Sequence, residues 1–195
     1  MGKEKYLKRI ESLFKKSPVV NVDSIKRIIR SKKQIRQYSK QLIRNLILKD
    51  KIKKLARGFY TAYDDVSLAV FCFKPSYLGL QDALSIHNLW EQEAIPIIIT
   101  TRKIRQGIRR IMGVNVWIRR ISPKYLFGFD YIKQGDFYYP YSDIEKTFID
   151  MIYFRQAVDK NLVREFKKRM DIKKLKKYAR RYPKRTSYRI LKLAE

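Results

Sequence analysis

The net charge of this 195-residue chain sits at its two ends. Residues 1–63 hold 19 basic against 4 acidic side chains, residues 64–154 hold 11 against 10, and residues 155–195 hold 16 against 4, so the nets are +15, +1 and +12. Charge that served solubility alone would be spread evenly. Two basic ends around a neutral middle point instead to dedicated contact surfaces. The total of +28 predicts a polyanionic partner, nucleic acid ahead of an anionic membrane surface. With 45% apolar residues the chain buries a core and is not a disordered basic tail. The expected organisation is a first domain over 1–63 and a second over 64–195, the latter made of a core at 64–154 and a basic helical extension at 155–195.

Several classes drop out. The longest apolar runs, Ser67 to Phe73 and Ile95 to Ile99, are far below the roughly 18 to 20 residues of a spanning helix, and the charged first residues lack a signal-like apolar stretch, so no membrane partner and a cytoplasmic location are expected. One cysteine, Cys72, excludes an internal disulfide, and its neighbours Phe71 and Phe73 predict a buried thiol. A single histidine, His87, leaves little for a metal site or for acid–base work. The glycines are isolated, without a phosphate-cradling loop, so no cofactor is expected.

The first segment reads as three helices and a hairpin. Leu7, Ile10, Leu13 and Phe14 recur at helical spacing over about Lys3 to Lys15, and Pro18 stops that helix. Asp23 reads as the cap of a second helix carrying Ile25, Ile28 and Ile29, and Ser31 as the cap of a third. The third helix turns Ile35, Leu42, Ile43 and Leu46 inward, which leaves Lys33, Arg36, Gln37, Lys40 and Arg44, with Lys32 near its start, on the other face. Lys51 to Thr61 reads as two strands about the Arg57-Gly58 turn. This order is that of a winged helix-turn-helix. Its third helix fits the major groove and offers Arg, Lys and Gln to base edges, while the wing cations Lys51, Lys53, Lys54 and Arg57 meet phosphate. The bland alternative is a solvated basic face on a structural or protein-binding wing.

From Asp64 the composition turns apolar and aromatic. Asp64 or Asp65 opens a helix to about Cys72, Gly79 to Leu89 forms another ended by Asn88, and four stretches alternate with turns to predict a small sheet: Ile95 to Thr101, Val114 to Ile121, Tyr125 to Ile132 and Phe137 to Tyr139. A helix from about Ser142 to Phe154 faces Ile144, Phe148, Ile149 and Ile152 inward. The fold class is therefore α+β: an N-terminal winged helix-turn-helix, an α+β middle domain with a small sheet, and basic C-terminal helices.

Several ordered motifs resemble the AbiEi family of antitoxins and transcriptional regulators. They are the run Pro75 to Leu89, the strand Ile97 to Arg102, the pair Arg119-Arg120, Phe127-Gly128, the run Asp143 to Asp150, and the wing Lys54 to Tyr60. The resemblance spans roughly residues 20 to 155. Asn88 departs from the usual Gly and Asp82 from a small Ser. The resemblance implies an N-terminal domain that binds an inverted-repeat operator in double-stranded DNA and represses its operon, as a monomer or homodimer, and a C-terminal domain that opposes a nucleotidyltransferase-like toxin. A winged-helix regulator without a toxin is the narrower alternative.

A Mg-dependent or degenerate nuclease is the enzymatic alternative, with Asp130, Asp136, Asp143, Glu145 and Asp150 as carboxylates. Glu145-Lys146 lacks the intervening residue of a Glu-x-Lys pair, and the helical carboxylates do not converge by spacing. Asp143 reads as a helix cap, while Asp150 and Glu145 read as partners of Arg119 or Arg120. No catalytic residue and no metal ligand is therefore assigned. In the C-terminal segment Asn161 or Asp159 opens one helix, Asp171 caps another and Pro183 ends it. Phe166, Met170, Leu175, Tyr178 and Tyr182 form an apolar stripe that docks on the middle domain. That docking leaves Lys167, Lys174, Lys177 and Arg181 to extend a DNA footprint, or to meet an acidic protein.

Overall fold

The computed structural model describes residues 2–29, 35–92 and 94–194, and of residues 2–5 the backbone only. The chain divides into two compact units, Met1–Cys72 with Arg110–Val114, and Phe73–Arg109 with Asn115–Glu195. Its fold class is α+β.

In the first unit, helix α1 (Gly2–Lys16) is followed by the short strand β1 (Val20–Asn21) and helix α2 (Val22–Ile28). Asn21, not Asp23, caps α2. Asn21 stands in extended backbone one residue before the helix, where its side-chain oxygen accepts the N–H of Asp23 at 2.9 Å, whereas Asp23 is already inside the first turn and pairs with Lys26. Helix α3 (Ile35–Leu48) buries Ile43 and Leu46 against Ile10, Phe14, Val20, Ile25, Ile29 and Ile52, with Ile35 and Leu42 packed at the margin. Full burial of each such side chain contributes about 1.5–3 kcal/mol. The expected cap Ser31, and with it Lys32 and Lys33, lies outside the described residues. Strands β2 (Lys53–Ala56) and β3 (Phe59–Thr61) form the hairpin, and Gly58 supplies the positive φ of +81° that its turn requires. With β1 they make an antiparallel sheet in the order β1-β3-β2, in which Tyr60 lies opposite both Val20 and Lys54.

Asp65 opens the next helix, accepting the N–H of Ser67 at 2.9 Å, but Val66–Phe73 is 3₁₀ rather than α. Cys72 within it is a buried thiol.

The second unit holds all but one hairpin tip, Arg110–Val114, of a six-stranded sheet, where a small sheet was expected. The strands are β4 (Ser76–Leu78), β5 (Ile97–Thr100), β6 (Gly107–Ile111), β7 (Val114–Arg120), β8 (Phe129–Gln134) and β9 (Phe137–Ser142), in the order β6-β7-β5-β4-β9-β8. The sheet is mixed: β4 runs parallel to β9 and antiparallel to β5, which in turn runs parallel to β7. The central strands β4 and β5 are buried at every residue, as strands covered on both faces must be. Strands β4 and β6 were not expected from the sequence. The expected strand from Tyr125 starts only at Phe129, because Pro123–Tyr125 is a 3₁₀ turn and Gly128 has φ +67°. Helix α4 (Gln81–Ile86) connects β4 towards β5, and Asn88 beyond it takes the left-handed conformation at φ +53°.

Helix α5 (Ile144–Tyr153), capped by Asp143, is buried at eight of its ten positions. Helices α6 (Lys160–Arg169), α7 (Ile172–Ala179) and α8 (Lys184–Ala194) surround it, with Asp159 and Asp171 as the caps of α6 and α7. The stripe Phe166, Met170, Leu175, Tyr178 and Tyr182 docks there as expected. Among the described residues no helix is long and apolar enough to cross a membrane.

Candidate nucleic-acid interface

Helix α3 repeats a cation or polar group every fourth residue along one face. Arg36, Lys40 and Arg44 are all exposed, and Gln37 is exposed beside them. Between this face and the wing runs an open groove of about 640 Å³, lined by Arg36, Lys40, Arg44, Lys54 and Tyr60, with Lys26 of α2 at one side. Its lining contains no carboxylate. Asp23 pairs with Lys26 at 2.8 Å, while Arg36, Lys40, Arg44 and Lys54 have no ion-pair partner among the described residues. The strand register explains why Lys54 and Tyr60 share the groove: they are directly opposed in β2 and β3, and opposed residues project from the same face of a sheet. Arg57 stands exposed at the tip of the wing.

Two wing lysines behave otherwise. Lys51 lies before β2 and pairs with Glu11 at 2.6 Å, and Lys53 is paired with Asp64, whose hydrogen bond holds its pKa above the usual lysine value. Lys53 is opposed to Thr61, which is buried, so it alternates away from Lys54. The sequence did not assign Val22, Lys26, Ser39, Ile47, Leu48 or Tyr60 to this groove. Tyr60 was recoverable from strand alternation. Leu48, 73% exposed at the end of α3, carries the four-residue spacing of Arg36, Lys40 and Arg44 onward as an apolar step.

In the second unit, of the four cations expected to be free, Lys167, Lys177 and Arg181 are exposed, and Arg181 stacks over the Phe127 ring at 4.3 Å. Lys174 is not free. It pairs with Asp143 at 3.0 Å and Glu145 at 2.9 Å. Partial burial pulls its pKa down, but the hydrogen bonds and charges of Glu145 and Asp143 outweigh that and raise it overall. Lys174 therefore staples α7 to the start of α5.

Of the carboxylates considered for metal chemistry, Asp130 and Asp136 are exposed, while Asp143, Glu145 and Asp150 are engaged in the same way. Glu145 also accepts the N–H of Asp171 at 2.8 Å, and Asp143 accepts the Tyr178 hydroxyl at 2.9 Å. Neither Glu145 nor Asp150 pairs with Arg119 or Arg120 as expected. Arg119 instead lies over the rings of Trp117 and Phe154, at 4.8 and 4.6 Å, and burial lowers its pKa. Asp150 is fully buried, ion-paired to the fully buried Lys146 one helical turn earlier, and accepts the Tyr77 hydroxyl at 2.7 Å. The Lys146 ammonium also donates to the Tyr182 hydroxyl at 3.2 Å and faces the Tyr77 and Phe127 rings at 5.3 and 5.4 Å. Burial pushes the pKa of Lys146 down and that of Asp150 up, and their mutual attraction opposes both shifts. Among the described residues no group of three or more His, Cys, Asp or Glu side chains is placed to hold a metal ion. His87 is structural in its contacts, with its Nε2 at 2.7 Å from the carbonyl of Ser142 and its own carbonyl accepting from Arg169.

No protein-family model matches the chain, and no curated protein matches it. Among solved structures, the crystal structure of the Rv2827c protein from Mycobacterium tuberculosis superposes with a TM-score of 0.61, covering 97% of this chain and 77% of that one at 11% identity. The two chains share a fold. At that identity the likeness carries fold and nothing finer.

Proposed function

We propose that the protein is a sequence-specific DNA-binding transcriptional regulator whose first unit reads duplex DNA through α3 and the wing. The observation that carries this reading is the groove between α3 and β2–β3, where four cations, without an ion-pair partner among the described residues, meet no carboxylate in its lining. A solvated helix face gains nothing from keeping carboxylates away from four like charges, whereas a phosphate-facing surface requires it. Arg36 and Gln37, on the outer face of α3, are the base readers, since Arg bonds guanine and Gln bonds adenine in a bidentate manner. Lys40, Arg44, Lys54 and Arg57 are the phosphate contacts.

The motifs that resemble the AbiEi family extend the proposal. In that reading the regulator binds an inverted repeat through two copies, represses its own operon, and acts as the antitoxin to a nucleotidyltransferase-like toxin. Copurification with the product of the neighbouring gene tests the toxin half, and no association with a genuine nucleotidyltransferase neighbour removes it.

The DNA half is tested by titrating the full chain with duplex over a range of salt. Four phosphate contacts give a slope of about −3.6 per bound copy in log K against log salt. A slope near zero, or no duplex binding in low salt, refutes it.

A further inference from the structure

We infer that the second unit holds a separate oxyanion site, a cleft that takes a phosphate group between Arg155, Arg185 and Arg189. The cleft, of about 460 Å³, is lined by these three arginines with Gln156, Ile152 and Val158, together with Leu193, and its lining contains no carboxylate. Arg185 and Arg189 are one turn apart on α8, while Arg155 comes from the chain leaving α5. None of the three has a side-chain hydrogen bond or ion pair with another described residue. Three guanidiniums around one hollow repel one another unless an anion sits among them, and guanidinium forks match phosphate oxygens.

A second observation is independent of charge. Helices α3, α4 and α5 end alike. In each, the residue after the cap has positive φ, and the next N–H reaches back five residues: Lys51 to Leu46, Leu89 to Leu84, and Gln156 to Met151. This ending favours glycine, with asparagine and aspartate as the tolerated substitutes. Helices α3 and α4 use Asp50 and Asn88, at φ +51° and +53°. At α5 the position is Arg155, φ +55°, a side chain with no local means of relieving the strain. Leu80 and Met112 carry the same strain at φ +57° and +50°, and of the three Arg155 alone brings a charge to a hollow already lined by cations. An adjoining hollow with Lys160, Arg164 and Lys167 shares Val158 and Leu193 with the cleft, leaving room for a ligand larger than one phosphate.

The test is calorimetric titration of the full chain with pyrophosphate at about physiological salt. Wild type binds at one principal site. The variants Arg185→Gln and Arg189→Gln each weaken it about ten- to a hundredfold. Removing two charges elsewhere, with Lys173→Gln and Lys176→Gln on α7, leaves it unchanged. Arg155→Gly weakens binding while raising the ligand-free Tm by about 2–4 °C, because the strain is released. Displacement of pyrophosphate by a duplex assigns the site to a polynucleotide backbone. Displacement by a nucleoside triphosphate but not by duplex assigns it to a free phosphorylated ligand, and either result supports the site. Pyrophosphate affinity that falls no further in the arginine variants than in the α7 control overturns it. So does an Arg155→Gly protein that keeps full affinity. Because Arg36 and Lys54 are in the other unit, their substitution separates failure here from failure of the DNA reading.

Discussion

The buried pair Lys146–Asp150 makes the sharpest claim about stability. Both side chains are completely buried on α5 and ion-paired to each other, supplemented by the hydroxyls of Tyr77 and Tyr182. Removing one member strands the other as an uncompensated buried charge, at about 3–5 kcal/mol. Removing both, as in Lys146→Met with Asp150→Leu, costs much less, because the desolvation penalty of each charge disappears with its partner. What remains is the loss of these partners at the Tyr77 and Tyr182 hydroxyls, together about 1–3 kcal/mol, which Tyr77→Phe with Tyr182→Phe in the same background recovers. Each single variant therefore lowers Tm by roughly 6–20 °C at about 2–4 °C per kcal/mol. The double variant is more stable than the sum of the singles by at least about 3 kcal/mol. Urea unfolding followed by tryptophan fluorescence isolates the effect, since both tryptophans, Trp90 and Trp117, belong to the second unit. Single variants within about 1 kcal/mol of wild type, or a double variant that is simply additive, would show that the pair is not what holds α5 in place.

Other outcomes follow from the same packing. Gly128→Ala destabilises the second unit by about 1–3 kcal/mol or more, because φ is +67° there and an added Cβ would stand 2.8 Å from the Tyr178 ring and 3.0 Å from Lys146; thermal unfolding reads it. Tyr178 has its pKa pushed up to about 12 by burial and by its hydrogen bond to Asp143. A raised folded pKa means that the native state holds its proton longer than the unfolded chain, so stability present below pH 10 is lost as pH rises from 10 to 12, and Tyr178→Phe flattens that part of the urea-midpoint profile.

The N-terminal unit was legible because each of its cues is local. Apolar spacing in α1 and α3, Pro18, and the Gly58 turn all act within one or two helical turns or a hairpin. Asp143, Asp159 and Asp171 were legible as caps for the same reason. What escaped depends on partners far along the chain. Lys174 sits in the run Lys173-Lys174-Leu175-Lys176-Lys177 and reads as one of four equivalent cations, yet helical phase brings it alone against Asp143 and Glu145, some thirty residues earlier. Lys146 and Asp150 have the spacing of an ordinary surface pair, and only the burial of α5 beneath α6, α7 and α8 turns them into a core network. Strand β6 was hidden because Arg109 and Arg110 give it the composition of a loop, and β4 because three residues are too few to display alternation. In the candidate interface, Arg36, Gln37, Lys40 and Arg44 were readable from helical phase. The ion pairs of Lys51 and Lys53 could not be read from the hairpin, because their acidic partners, Glu11 and Asp64, lie outside it.

The central claim is that α3 reads sequence while the wing grips phosphate. It is tested most directly by measuring affinity for a selected operator and for random duplex with Arg36→Ala, Gln37→Ala and Lys54→Ala. The account predicts that the α3 variants each lose about 1–3 kcal/mol of discrimination between the two duplexes, while Lys54→Ala weakens both alike and keeps their ratio. Three variants that bind both duplexes as the wild type does would contradict it.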